Sequence, residues 1–160
     1  MEEFDANKDG KLDDKELERC PSLRNSLAQI DKDGDKAISR EELEGAIRDS
    51  LASKLGLVGV NVTVLRGTEP VKGVEVALIP EKFFGATLTS ARGKTDDLGS
   101  AEMRSDGQSL PGVVPGFYRM ELSLKGETGM ESIPDAFNKN TTLGYQIGPQ
   151  FKGAIRVNIQ

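Results

Sequence analysis

The sequence predicts a two-domain α + β chain: a small helical unit over residues 1–56, then an antiparallel β-sandwich over residues 57–160. Three observations predict it. Apolar residues keep helical spacing up to about Gly56 and alternate one-on, one-off from Val58 onward. An acidic 14-residue pattern occurs twice, and only in the first part. Turn clusters rich in Gly, Pro and Asp divide the second part into short segments. The composition suits a water-facing fold, and no apolar run approaches the ~18 residues that span a bilayer.

The elements follow in chain order. Met1–Phe4 is an abbreviated incoming helix of less than two turns. Pro21-Ser22 opens a short helix to about Ile30, with Leu23, Leu27 and Ile30 on one face. Ser39 followed by Glu42 is a capping box, so a second helix starts at about Arg40. It carries Leu43, Ile47, Leu51 and Leu55 on one face and stops at Gly56. Gly56–Gly59 is a short linker, so the two parts are expected to touch. Strands are then expected around Val60-Val62-Val64, Val74-Val76-Leu78, Tyr118-Met120-Leu122-Leu124 and Ile155-Val157-Ile159. The turns between them include Arg66–Pro70, Thr95–Gly99 and Pro115-Gly116. Lys125–Gly148 reads as an ordered surface loop.

Charge and composition narrow the chemistry. The chain has no histidine, which removes imidazole-based nucleophile systems, proton shuttles and His-ligated zinc. Its one cysteine, Cys20, excludes an internal disulfide and reads as a small, partly buried thiol beside Pro21. Residues 1–55 carry 15 acidic against 10 basic side chains, while residues 56–160 carry 11 of each. The net charge of −5 therefore sits in the first third, which favours a cation over nucleic acid or an anionic membrane as partner.

The repeated pattern supplies a cation site. Phe4 through Leu17 aligns with Ile30 through Leu43 at an offset of 26 residues. Each copy places oxygen side chains at loop positions 1, 3, 5 and 9 and a glutamate at 12. The first set is Asp5, Asn7, Asp9, Asp13 and Glu16, with the Lys11 carbonyl at position 7. The second is Asp31, Asp33, Asp35, Ser39 and Glu42, with the Ala37 carbonyl at position 7. A hard cation such as Ca²⁺ takes six to eight oxygens at ~2.3–2.6 Å, and a loop curling around it points alternate side chains inward. The glutamate returns from the next helix with two oxygens, which favours Ca²⁺ over octahedral Mg²⁺. Leu12 and Ile38 at position 8 are expected to join the loops through a short antiparallel bridge.

These motifs resemble the EF-hand family, over residues 4–17 and 30–43 and their flanking helices. The resemblance implies two bound Ca²⁺, which would bring the formal charge from −5 to −1. Position 6, where the turn needs positive φ, is Gly10 in the first copy but Lys36 in the second, so the second site is expected to be weaker. Calcium sensors expose a methionine-rich groove on opening, and residues 2–55 contain no methionine. A structural or buffering role is therefore expected in place of a target-binding switch. A dockerin-like anchoring module is the alternative, although dockerin loops usually end in Asp where this chain has Glu16 and Glu42.

In the second part, Val71–Pro80, Gly93–Ala101, Leu110-Pro111-Gly112 and Pro115–Met120 resemble a carboxypeptidase regulatory-like, or transthyretin-like, β-sandwich. That resemblance implies a non-catalytic accessory module. The related hydroxyisourate hydrolases use histidines and a tyrosine-bearing C-terminal tetrapeptide, and this sequence has neither. Asp96-Asp97 reads as a hairpin turn with solvated carboxylates, and Phe117-Tyr118 as strand core. No enzymatic activity is expected, nor membrane insertion. A protein or carbohydrate partner of the sandwich is left open, as is service as an accessory domain of a larger exported enzyme. The expected setting is an exported or cell-surface bacterial protein whose signal sequence lies outside this chain.

Overall fold

A computed structural model describes residues 1, 3–52, 56–84, 87–126 and 129–159. It is mixed, with mostly β structure and few, short helices. The first part runs through β1 (Lys11–Leu12), α1 (Asp14–Leu17), α2 (Pro21–Asn25), α3 (Leu27–Ile30), β2 (Ile38–Ser39) and α4 (Arg40–Ala52). The second holds β3 (Asn61–Arg66), β4 (Glu69–Pro70), β5 (Glu75–Pro80), β6 (Ala91–Lys94), β7 (Ser100–Glu102), β8 (Arg104–Ser105), β9 (Gly116–Ser123), β10 (Gly144–Ile147) and β11 (Ala154–Asn158).

Capping explains where α1 and α4 start. Asp13 accepts the N–H groups of Lys15 and Glu16, and the Glu16 carboxylate returns to the Asp13 N–H, which opens α1. Ser39 and Glu42 make the same reciprocal pair at the head of α4 (Ser39 N–H to Glu42 Oε2, 2.9 Å), at the position the sequence predicts. The expected helix over 21–30 is two helices instead. Ser26 leaves helical geometry at φ −100°, ψ 5°, and its N–H is shared among carbonyls of the preceding turn. The apolar stripe of α4 also fades along its length. Leu43 is buried, Ile47 is partly buried and Leu51 is exposed, because the last turns run past the core; Leu55 lies outside the described residues.

Two sheets make up the second part. Five strands run in the order β10-β9-β5-β6-β8, all antiparallel. The other sheet has the order β11-β3-β4, with β7 also on β3. Here the all-antiparallel expectation is corrected: β11 pairs in parallel with β3, from Ala154 beside Asn61 to Asn158 beside Leu65. Alternation reports which face of a strand is buried and carries no information about its direction. Val62 and Val64 of β3, Val76 and Leu78 of β5, Met120 and Leu122 of β9, and Ile155 and Val157 of β11 are all buried. On the opposite face of β9, Phe117 stacks on Phe84 at 6.0 Å between ring centroids. Tyr118 is buried too and donates its hydroxyl to the Val114 carbonyl at 2.7 Å.

The segment read as a surface loop contains β10, which pairs with β9 from Gly144 beside Arg119 to Ile147 beside Gly116. Its sequence, Gly-Tyr-Gln-Ile, lacks alternation because α2 covers part of it. A Cβ on Gly144 would fall on the backbone of Pro21 and Ser22, so only glycine admits this approach. Asn25 Nδ2 donates to the Gly144 carbonyl at 3.0 Å, and the Ser22 hydroxyl donates to Glu81 Oε1 at 2.8 Å. Glu81 is buried, which pushes its carboxyl up from the ordinary value despite the Ser22 hydroxyl bonded to it. Cys20 beside it is fully buried; burial, then the Glu81 charge, pushes its thiol up to about 12. A thiol of that kind is inert. Buried side chains of both parts belong to one hydrophobic cluster.

Before β10, Glu131 pins the chain that leaves β9. Its carboxylate accepts the Ser123 hydroxyl at 2.6 Å and the N–H groups of Leu124, Ser132 and Ile133 at 2.8, 3.0 and 3.0 Å. Partial burial opposes ionisation, but those four donors hold the carboxyl down at about 2.

Two outcomes are expected. Gly144→Ala must force α2 off β10 and should cost about 1–3 kcal/mol, as overpacking does; an unchanged urea midpoint would show that the helix is not seated there. For Glu131 the folded value of about 2 lies below the free value of 4.5. Its contribution is therefore complete above that free value and fades as pH falls toward the folded one. Urea midpoints at stepped pH should fall more steeply across that window for the wild type than for Glu131→Gln, and parallel curves would refute the clamp.

Candidate metal centre

The two acidic loops lie back to back across β1 and β2, where Lys11 pairs with Ser39 and Leu12 with Ile38. Leu12 and Ile38 are fully buried, so the bridge expected from position 8 is also the floor on which both loops stand.

Each loop is held by carboxylates that collect its own backbone N–H groups. In the first, Asp5 Oδ2 accepts from Gly10 at 3.0 Å, Asn7 Oδ1 from Asp9 at 2.9 Å and Asp9 Oδ1 from Lys11 at 2.9 Å. In the second, Asp31 accepts from Gly34 at 2.7 Å and from Lys36 at 2.9 Å. Asp33 Oδ1 there takes the Asp35 N–H at 3.1 Å, and Asp35 Oδ1 the Ala37 N–H at 2.9 Å. The side chains at positions 1, 3 and 5 are thereby turned inward in both copies.

The glutamate at position 12 closes each loop from both ends. Glu16 Oε1 accepts from Ala6 at 2.7 Å and Asn7 at 3.2 Å, while Oε2 accepts from Asp13 at 3.0 Å. Glu42 does likewise, with Lys32 at 2.7 Å on Oε1 and the Ser39 N–H and hydroxyl at 2.9 and 2.8 Å on Oε2. The Ser39 N–H, foremost among these donors, holds the Glu42 carboxyl below its ordinary value. Asp13 and Ser39 at position 9 turn their oxygens to helix caps; at position 7, Lys11 is within the bridge and Ala37 immediately precedes it.

The donor set suits a hard cation. Asp5 Oδ1 is buried and has no hydrogen-bond partner. In the second loop one carboxylate oxygen each from Asp31, Asp33 and Asp35 lies within 4.8 Å of the others. Three carboxylates gathered this closely repel one another unless a cation stands among them. Every candidate ligand is oxygen, the chemistry Ca²⁺ prefers.

Sequence reasoning missed two features. The first is backbone: positive φ occurs at positions 4 and 6 of both loops, at Lys8 (60°) and Gly10 (86°), then at Gly34 (78°) and Lys36 (67°). Each loop thus holds one left-handed lysine and one left-handed glycine, in swapped order, so backbone strain does not rank the second loop below the first. Lys8 carries no sequence signal until the loops are superimposed position by position. The second is the Lys11 side chain, which crosses the bridge to pair with Asp35 Oδ2. A groove of about 670 Å³ adjoins the second loop between α3, α4 and the β10–β11 connection, where Gln29, Glu42, Gln146 and Phe151 are among its walls.

The family model described as EF hand matches residues 1–21. The match supports an EF-hand segment over those residues and, with it, calcium binding. No curated protein matches the chain. Among solved structures it is similar to the major pilin subunit of Bacillus cereus, at 13% identity and a TM-score of 0.38. That likeness covers 65% of this chain and 29% of the pilin chain.

The swapped lysines give a paired expectation. Replacing a left-handed residue by glycine relieves ~1–2 kcal/mol, less the ~0.5–1 kcal/mol of freedom that glycine loses on ordering. Lys8→Gly and Lys36→Gly should each tighten calcium at their own loop by roughly fivefold. Amide NMR titrations can read the loops separately at Gly10 and Gly34. A gain for Lys36→Gly alone would restore the ranking by strain.

Proposed function

We propose that the chain binds two calcium ions through an EF-hand pair that acts as a structural clip, fused to a non-catalytic β-sandwich accessory module of transthyretin-like type. The division falls at residues 1–56 and 57–160. The observation that carries the calcium reading is the mirrored geometry of the loops: the same Asp-to-position-6 and Glu-to-position-2 bonds recur at an offset of 26 residues. Asp5, Asn7, Asp9, the Lys11 carbonyl, Asp13 and Glu16 would hold one ion. Asp31, Asp33, Asp35, the Ala37 carbonyl, Ser39 and Glu42 would hold the other. Asp13 and Ser39 are the ligands that would act through water, because their oxygens serve the helix caps.

A structural role is favoured by what the helices touch. The segment between the loops carries α2, whose Ser22 and Asn25 bond to Glu81 and Gly144 of the sheet part. Loop closure by an ion therefore supports the seat on β10. An ion that binds only the folded form adds RT ln(1 + [L]/Kd), or ~2.7 kcal/mol at a hundredfold excess over Kd.

Calorimetry on the full chain should give two calcium equivalents. Hydrogen exchange with chelator should deprotect residues 3–52 first, and the amides around Gly144 more than those of β5. One equivalent or none at millimolar calcium would overturn the pair, and unchanged protection on chelation would overturn the structural role.

A further inference from the structure

We propose that the Lys11 ammonium, carried by the first loop, is a built-in counter-cation of the second loop that a calcium ion must displace from Asp35, so that the second loop fills after the first. The inference rests on the calcium reading above and adds the residue that sets the order of filling.

The geometry is asymmetric where the loops are otherwise mirrored. Lys11 stands at position 7 of the first loop, and its backbone pairs with Ser39 of the second. From there its side chain reaches Asp35, a position-5 ligand of the other loop. The equivalent residue of the second loop is Ala37, whose methyl cannot return the contact. Asp35 consequently has both oxygens engaged, Oδ1 by the Ala37 N–H and Oδ2 by the ammonium. Asp9, at the same position of the first loop, also has both oxygens engaged, but by two neutral donors, the Lys11 N–H at 2.9 Å and Asn7 Nδ2 at 3.0 Å. The ammonium thus occupies one of the second loop's own candidate ligands.

Ion entry at the second loop has two costs that the first loop lacks. The Lys11–Asp35 pair must break, and a divalent ion must approach a positive charge only a few ångströms from its seat. The pair is partly exposed, so breaking it costs little, and most of the effect is charge repulsion. Together they should weaken the second loop by roughly three- to tenfold at low salt.

The test is a calcium titration of the full chain followed by amide NMR, with Gly10 and Gly34 as reporters of the two loops. In the wild type Gly10 should shift first. Lys11→Met should lower the midpoint at Gly34 by roughly three- to tenfold and close the gap, whereas Lys11→Arg should keep the wild-type order. Lys72→Met is the control for net charge, since Lys72 pairs with Asp97 in the sheet part. An unchanged Gly34 midpoint in Lys11→Met, or an equal shift in Lys72→Met, would overturn the role of Lys11 and leave calcium binding standing. Absence of any titration in the wild type would overturn the calcium reading and this inference with it.

Discussion

A backbone that turns tightly cannot pair its N–H groups in a helix or a sheet, and here carboxylates accept them instead. Glu16 and Glu42 each take donors from both ends of a loop, which ties residue 2 of the loop to residue 9. Asp5 and Asp31 tie residue 1 to residue 6 in the same way. Remove those bonds and the left-handed residues inside the loops lose what holds them against strain. The device recurs in the sheets, where Asp96 gathers the N–H groups of Leu98 and Ser100, and Glu131 those of Leu124, Ser132 and Ile133. Asp96 and Glu131 there are satisfied by neutral donors alone. In each loop four carboxylates crowd together among donors that are nearly all neutral, and that concentration of negative charge suits a cation.

The helices depend on this arrangement more than on their own length. α1 and α3 have four residues each and α2 has five, too few to persist alone. Each is held instead by what flanks it: the Asp13 carboxylate at the head of α1, buried Leu17, Leu23 or Ile30 beneath each helix, and for α2 the backbone of β10. The contact between α2 and Gly144 is closer than any side chain permits, so sliding the helix along the strand would meet Cβ atoms on either side. That gives the two parts of the chain one register relative to each other.

How much was legible follows from the range of each interaction. The loops were readable because the spacing of their oxygen side chains and their helix caps are local in sequence, and the Leu12–Ile38 bridge, though 26 residues apart, follows from the same position in both copies. The buried faces of β3, β5, β9 and β11 were readable because alternation survives wherever one face meets the core. Three things were not. β10 has no alternation to read, since its neighbours are a helix on one side and β9 on the other. The parallel pairing of β11 depends on direction, which side-chain pattern does not encode. The left-handed Lys8 and the cross-loop reach of Lys11 appear only when two segments 26 residues apart are brought face to face. In each case the missing information is a contact between distant parts of the chain.

The parallel pairing of β11 with β3 carries a consequence for the chain as it is made. β3 lies near residue 61 and its partner near residue 155, so one flank of that strand has no main-chain partner until some ninety further residues have left the ribosome. On its other flank β4 and β7 cover only part of it. During that interval β3 presents a free, apolar edge bearing Val62 and Val64, the kind of edge to which other strands add. The acidic loops and their helices, complete by residue 52, emerge before it and carry most of the net negative charge. Each new chain thus carries its charged, repelling segment ahead of its most adhesive strand while that strand waits, an order that discourages neighbouring copies from sticking together on a polysome.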